Sequence, residues 1–135
     1  MNRPKTELEK KIQADIEADI GAERDLLLLR NSVGQARYVS DDNKVFYVPY
    51  GLGVGSPDLV GMLRMRGTVF VDGLTQPFSH ACWFCLEVKQ PGETAEPAQE
   101  KCHAVWRRFG AFIAVVTSVA EARAALERAR RGDAA

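Results

Sequence analysis

Seven consecutive residues, Ala111-Phe112-Ile113-Ala114-Val115-Val116-Thr117, constrain the fold most. The run is short, almost wholly apolar and rich in branched side chains, the pattern of a strand buried on both faces. Such a strand needs a sheet with other elements layered against it. The flanking residues agree. Ser118 with Glu121 three positions on reads as a capping box opening a helix to about Arg131. Upstream, residues 94–109 read as a helix with an apolar stripe of Ala98, Cys102, Val105 and Phe109, ended by Gly110. Before it, Trp83-Phe84-Cys85-Leu86-Glu87-Val88-Lys89 reads as a strand closed by Gln90-Pro91-Gly92. Strand, helix and strand in succession predict a right-handed crossover with parallel strands.

The first half of the chain supplies the rest of the sheet. Residues 5–20 read as a helix, with Leu8, Ile12, Ile16 and Ile20 as its apolar stripe and Glu9 and Gln13 at the edge of that face. Gly21 suits the position after the helix. Residues 26–31 read as a strand. Residues 37–39 and 45–48 flank the polar Ser40-Asp41-Asp42-Asn43-Lys44 and predict a hairpin. A Gly/Pro loop over 49–57 leads to a strand over 58–63. Residues 64–80 read as an inserted ribbon, and residues 132–135 as a frayed tail. The prediction is one α/β domain over residues 1–135, with a mixed central sheet flanked by helices.

Bulk properties narrow the function. A chain of 135 residues suits a single core. No run approaches the roughly 20 apolar residues of a membrane span. Residues 1–5 lead into charged positions with no apolar signal segment, so a cytoplasmic protein without a membrane partner is expected. Three cysteines, an odd number, are expected as reduced thiols. Cys82-x-x-Cys85 with Cys102-His103 invites a zinc reading. Residues three apart on a strand face opposite sides, however, so these two cannot converge on one ion. Cys102 is expected in the core, His103 on the solvent side of its helix, and Trp106 in packing. The formal net charge of +0 weighs mildly against nucleic acid as a partner, although metal-binding acids would cancel a local basic patch in that sum.

Two stretches carry chemistry. On the strand ending at Lys89, Glu87 and Lys89 point to one side and Leu86 and Val88 to the other. An acid and a base on one face at the end of an apolar strand make sense beside a metal ion and a phosphate. Asp58, in Gly55-Ser56-Pro57-Asp58-Leu59-Val60-Gly61, is a second acid in a similar setting. Taken alone, Glu87 and Lys89 would read as a surface ion pair and Asp58 as a turn residue. The glycines at 51, 53 and 55 form no P-loop, because no Gly-Lys-Ser/Thr follows. They let the chain pass close to the site.

Together these features resemble the VRR-NUC family of the PD-(D/E)xK nuclease superfamily. The resemblance rests on the αβββαβ order and on an ordered set of motifs. These are Glu9-x-x-Ile12-Gln13, Arg30-Asn31-x-Val33-Gly34, Gly55 to Gly61 with Asp58, Glu87-Val88-Lys89, and Gln99 in the second helix. The final apolar strand and Ser118-Val119 also fit. The likeness spans about Glu7 to Leu126, and the wide spacing between Asp58 and Glu87 is its one departure.

The resemblance implies a Mg²⁺- or Mn²⁺-dependent endonuclease cutting branched, junction-like DNA as a homodimer. Asp58, Glu87, the Val88 carbonyl and Glu9 would hold the metal. Lys89 would orient the attacking water and stabilise developing charge, with Gln99 beside it. Arg30, Asn31, Arg37 and Lys44 would contact the DNA backbone. A flap, nicking or restriction nuclease without junction preference, and a non-catalytic nucleic-acid-binding subunit, are the alternatives.

Overall fold

The computed structural model describes residues 3–133. The elements run α1 (Glu7–Asp19), a 3-10 turn (Ile20–Ala22), β1 (Leu26–Arg30), β2 (Gly34–Val39), β3 (Val45–Tyr50), β4 (Leu59–Val71), β5 (Leu74–Val88), α2 (Pro97–Arg108), β6 (Phe112–Val116) and α3 (Val119–Arg130). Four strands form a mixed sheet in the order β1-β4-β5-β6. β1, β4 and β5 pair antiparallel, while β6 runs parallel to β5 with Glu87 opposite Val115. β2 and β3 form a separate hairpin. The protein is thus a mixed α/β fold with helices against its central sheet.

Strand alternation sorts the sheet's two faces. Phe84, Leu86 and Val88 of β5 join Leu59, Leu63, Phe112, Ala114 and Val116 in the main core. Ile16 and Ile20 of α1 and Ala122, Ala125, Leu126 and Ala129 of α3 close that core. Small residues on α3 let the helix lie close to the sheet. The opposite face is thinner: Val60, Cys85 and Ile113 pack under Trp106 of α2. β6 is therefore not buried on both faces along its whole length, since Val115 is exposed.

α2 buries a different face from the expected one, whereas α1 keeps Ile16 and Ile20 in the core but sets its N-terminal half so that Glu9 and Gln13, not Leu8, face inward. In α1 the inward residues are Glu9, Gln13 and Ile16, and Leu8 is 49% exposed. The 9–13–16–20 row is as good a helical stripe as 8–12–16–20. Its first two members are polar because that end of the helix lies at the end of β5, where the side chain of Lys5, just ahead of the helix, reaches Val88. In α2 the buried residues are Gln99 and His103. Val105 is exposed, Phe109 is 87% exposed and Cys102 lies outside the core clusters. This helix meets the Glu87 carboxylate at Gln99 and His103, and the thin apolar patch at Trp106.

The inserted segment is a continuous extension of β4 and β5. It pairs from Arg64 opposite Ala81 to Val71 opposite Leu74. The turn residues Asp72 and Gly73 both have positive φ, as a tight two-residue hairpin turn requires. Ion pairs pin α3 to the segment after α1. Arg123 holds Asp19 and Glu23, and Arg130 holds Glu23 and Asp25. Of the expected frayed tail, Gly132 and Asp133 close a turn on Ala129 and Arg128, and residues 134–135 lie outside the described residues. No helix among the described residues is long and apolar enough to cross a membrane.

Candidate functional site

One edge of the sheet collects the polar residues. There β5 ends at Val88, β4 begins at Leu59 and α1 starts. The Gly/Pro loop delivers Asp58 to this edge. Gly55 makes that path possible: at φ +85°, a Cβ would stand 2.4 Å from the Ala98 carbonyl oxygen. Asn31 braces the same loop, its amide donating to Ser56 Oγ and to the Pro57 carbonyl, each at 2.8 Å. Asn31 Oδ1 accepts from the Leu52 amide. Both amide hydrogens are thereby committed, so Asn31 shapes the loop rather than reaching toward a ligand.

Asp58 Oδ2 accepts from the Val88 amide at 2.8 Å, which ties the loop to the strand carrying Glu87. Lys5 Nζ lies 2.7 Å from the same oxygen and donates to the Val88 carbonyl at 3.1 Å. A cation therefore sits between the two groups that the sequence reading gave to a metal. Arg3 plays the same part at Glu9, 2.7 Å from Oε1. Glu9 Oε2 accepts from the Thr6 amide, completing a capping box at the head of α1. Glu9 is 2% exposed. Burial alone would raise its pKa, but the Arg3 guanidinium and the Thr6 amide hold it below the usual carboxylate range.

Glu87 is 1% exposed and points toward α2. Its Oε1 accepts from Gln99 Nε2 at 2.6 Å, and Lys89 Nζ lies 3.8 Å from the same oxygen. The Glu96 amide donates to Gln99 Oε1 at 2.8 Å. That bond fixes which end of the Gln99 amide faces Glu87, so Gln99 orients Glu87 rather than Lys89. Glu87 Oε2 finds no hydrogen-bond partner among the described residues. It faces His103 Nε2, equally unpartnered, at 3.7 Å. His103 is 2% exposed, so the expected solvent-facing histidine is instead part of the site. Its i, i+4 relation to Gln99 was the available signal, because such residues share a helix face.

The electrostatics follow from this crowding. Burial, and then the neighbouring Asp58 carboxylate, push Glu87 up to about 9. Burial and the Arg107 charge lower His103 to about 4. Near neutral pH both groups are therefore uncharged. Burial pushes the Cys85 thiol up to about 12, and the three cysteines are free. Cys82 and Cys85 pack on opposite faces of the sheet.

A cleft of about 400 Å³ opens beside Asp58, lined by Arg3, Lys5, Lys10 and Arg30 among others. Arg3, Lys5 and Lys10 carried no signal in the sequence beyond their charge. Arg30 reaches the cleft but is paired with Glu17 at 3.0 Å. Arg37 and Lys44 stand on the outer hairpin and do not line the cleft, so the structure gathers only one of the three expected basic contacts.

No group of three His, Cys, Asp or Glu side chains converges at metal-binding distance among the described residues. Two of the expected ligands are instead held by the chain's own cations, Asp58 by Lys5 and Glu9 by Arg3. The donor set nevertheless suits a divalent ion. It offers Asp58, the Val88 carbonyl, an unpartnered Glu87 oxygen, and a place where an ammonium already sits. Compared with known proteins, the chain matches no family model, no curated protein and no solved structure.

Proposed function

We propose that the protein is a metal-dependent DNA endonuclease with a PD-(D/E)xK core of the VRR-NUC kind, cutting branched DNA as a homodimer. The observation that carries this reading is the seat of Lys5. Its ammonium lies between Asp58 Oδ2 and the Val88 carbonyl, at the end of the strand whose Glu87 keeps a buried oxygen without a partner. That edge of the sheet already accepts a cation at Asp58.

Asp58, Glu87 and the Val88 carbonyl would hold Mg²⁺ or Mn²⁺, with Glu9 alongside once Arg3 moves away. When bound, the ion would activate water and neutralise charge on the scissile phosphate. Lys89 lies 5% exposed next to Glu87, a fixed positive charge where negative charge develops. Gln99 holds Glu87 in orientation. Arg3, Lys5 and Lys10 in the cleft supply sequence-independent phosphate contacts. Freed from Asp58 and Glu9, Lys5 and Arg3 can serve the phosphates instead.

The test is a cleavage assay with Mg²⁺ or Mn²⁺, comparing a four-way junction, a flap, linear duplex and single strand. Wild type and Lys89→Ala are run side by side. The expected result is paired, symmetric cutting of the junction, lost in the variant while folding and DNA binding persist. A Lys89→Ala protein that still cuts would overturn the site. Cutting of flaps or linear DNA without junction preference would keep the nuclease and drop the resolvase. One observation favours a non-catalytic binding subunit: the chain's own cations already neutralise Asp58 and Glu9. Junction binding without cutting in either metal would support that second reading.

A further inference from the structure

Two of the buried atoms without partners, on β5 and α2, face each other. Glu87 Oε2 and His103 Nε2 are 3.7 Å apart, too far for a hydrogen bond. Leaving two such atoms unpaired in a packed interior is costly, so pairs of this kind call for an explanation. The rest of the arrangement is deliberate. Gln99 and His103 stand one turn apart on α2, and between them they address both oxygens of one carboxylate. Gln99 takes Oε1 with a donor. His103 can offer Oε2 no shared proton at this distance, but it can share an ion with it. Two bonds of about 2.1 Å to one metal span up to about 4.2 Å, which includes this separation. An imidazole whose proton sits on Nδ1 keeps a lone pair free on Nε2.

We propose that His103 Nε2 is a ligand of the divalent ion held by Glu87, and that this nitrogen makes the site select first-row transition ions over Mg²⁺. The inference rests on the metal-dependent reading above and sharpens it. Mg²⁺ prefers an all-oxygen shell, whereas imidazole suits transition ions. Gln99 then has a second role. By holding Oε1, it turns Oε2 toward His103.

The experiment loads the full chain with Mn²⁺ and records its electron spin-echo envelope modulation. Modulation from an imidazole ¹⁴N is expected in the wild type, replaced by a ¹⁵N pattern after labelling with ¹⁵N-histidine. It is expected to survive His80→Gln, the other histidine, and to vanish in His103→Leu. Calorimetry should show Mn²⁺ bound at least about tenfold tighter than Mg²⁺, with the preference collapsing in His103→Leu. Mn²⁺ binding that needs Asp58 but shows no nitrogen coupling would overturn the role of His103 and leave the nuclease reading standing. No metal binding in the wild type would overturn both. If His103→Leu fails to fold, the labelled spectrum of His80→Gln, in which His103 is the remaining histidine, decides alone.

Discussion

At the scale of single residues, Glu87 controls the behaviour of the metal-free protein. Its carboxyl is raised to about 9, well above the ordinary carboxylate value, so the folded state holds a proton that the unfolded state releases near pH 4.5. Folding stability therefore falls as pH rises between those values. His103 works in the opposite sense. Lowered from 6.5 to about 4, it adds stability as pH rises across that lower window. The two oppose each other up to about pH 6.5, and Glu87 acts alone above it. In chelator, thermal unfolding should show stability dropping from about pH 6.5 to 9, by at most about 1.4 kcal/mol per pH unit. Glu87→Gln should remove that drop, and a variant that keeps it would place the slope elsewhere. Lys5 supports a second measurement. Because its ammonium occupies the cation seat, Lys5→Met should bind Mn²⁺ about two- to fivefold tighter by calorimetry. Weaker binding would mean that Lys5 and the ion do not compete. That Asp58, Glu87, Lys89 and Gln99 lie near one another was legible in the sequence, because strand alternation and motif order need no knowledge of tertiary contacts. Lys5 was not legible, since nothing in a lone lysine ahead of a helix says that it folds back onto a strand end.

At the scale of elements, the first two helices misled more than the strands did. A period of 3.6 finds the most apolar face, which is the buried one only when the partner surface is apolar. α1 and α2 each turn polar residues inward, because each one's partner includes the polar edge of the sheet. Leu8, Val105 and Phe109 were therefore read as core and proved exposed, while Ile16 and Ile20 of the Leu8 stripe are buried as expected. α3 packs on the apolar face alone, and its reading was sound from the Ser118 cap onward. The loop between β3 and β4 makes the dependence on tertiary contact measurable. Gly55→Ala would drive a Cβ into the Ala98 carbonyl at a positive φ. By chemical denaturation it should cost about 2–3 kcal/mol and disturb Asp58. Gly53→Ala meets nothing within 4 Å and should cost only the backbone strain, roughly 1–2 kcal/mol. Equal losses would mean that the close approach of this loop to α2 contributes nothing.

At the scale of the whole molecule, the two hairpins stand apart from the core. β2 and β3 expose every residue type that a strand normally hides, including Tyr38, Phe46 and Val48. The β4–β5 ribbon does the same with Val69, Phe70, Val71 and Leu74. Isolated two-stranded ribbons are marginal in water, and exposed apolar patches mark surfaces that other molecules cover. The register separates the two hairpins. β2 and β3 spring from the edge of the sheet that carries Asp58, while the ribbon turn at Asp72-Gly73 lies at the opposite ends of β4 and β5. A ribbon pointing away from Asp58 is poorly placed to hold a ligand at that edge. On the proposed reading it serves a second copy of the chain, spacing two sites for paired cuts. Phe70→Glu with Leu74→Glu should then leave the fold and single-strand nicking intact, because neither residue touches the core. The same pair should convert a dimer to a monomer in sedimentation and uncouple the two cuts in a junction. A double variant that still sediments as a dimer would move the interface to the β2–β3 hairpin, where Tyr38→Asp with Phe46→Asp is the matching test. A wild-type protein that is monomeric at micromolar concentration and still makes paired cuts would remove the dimer from the proposal altogether.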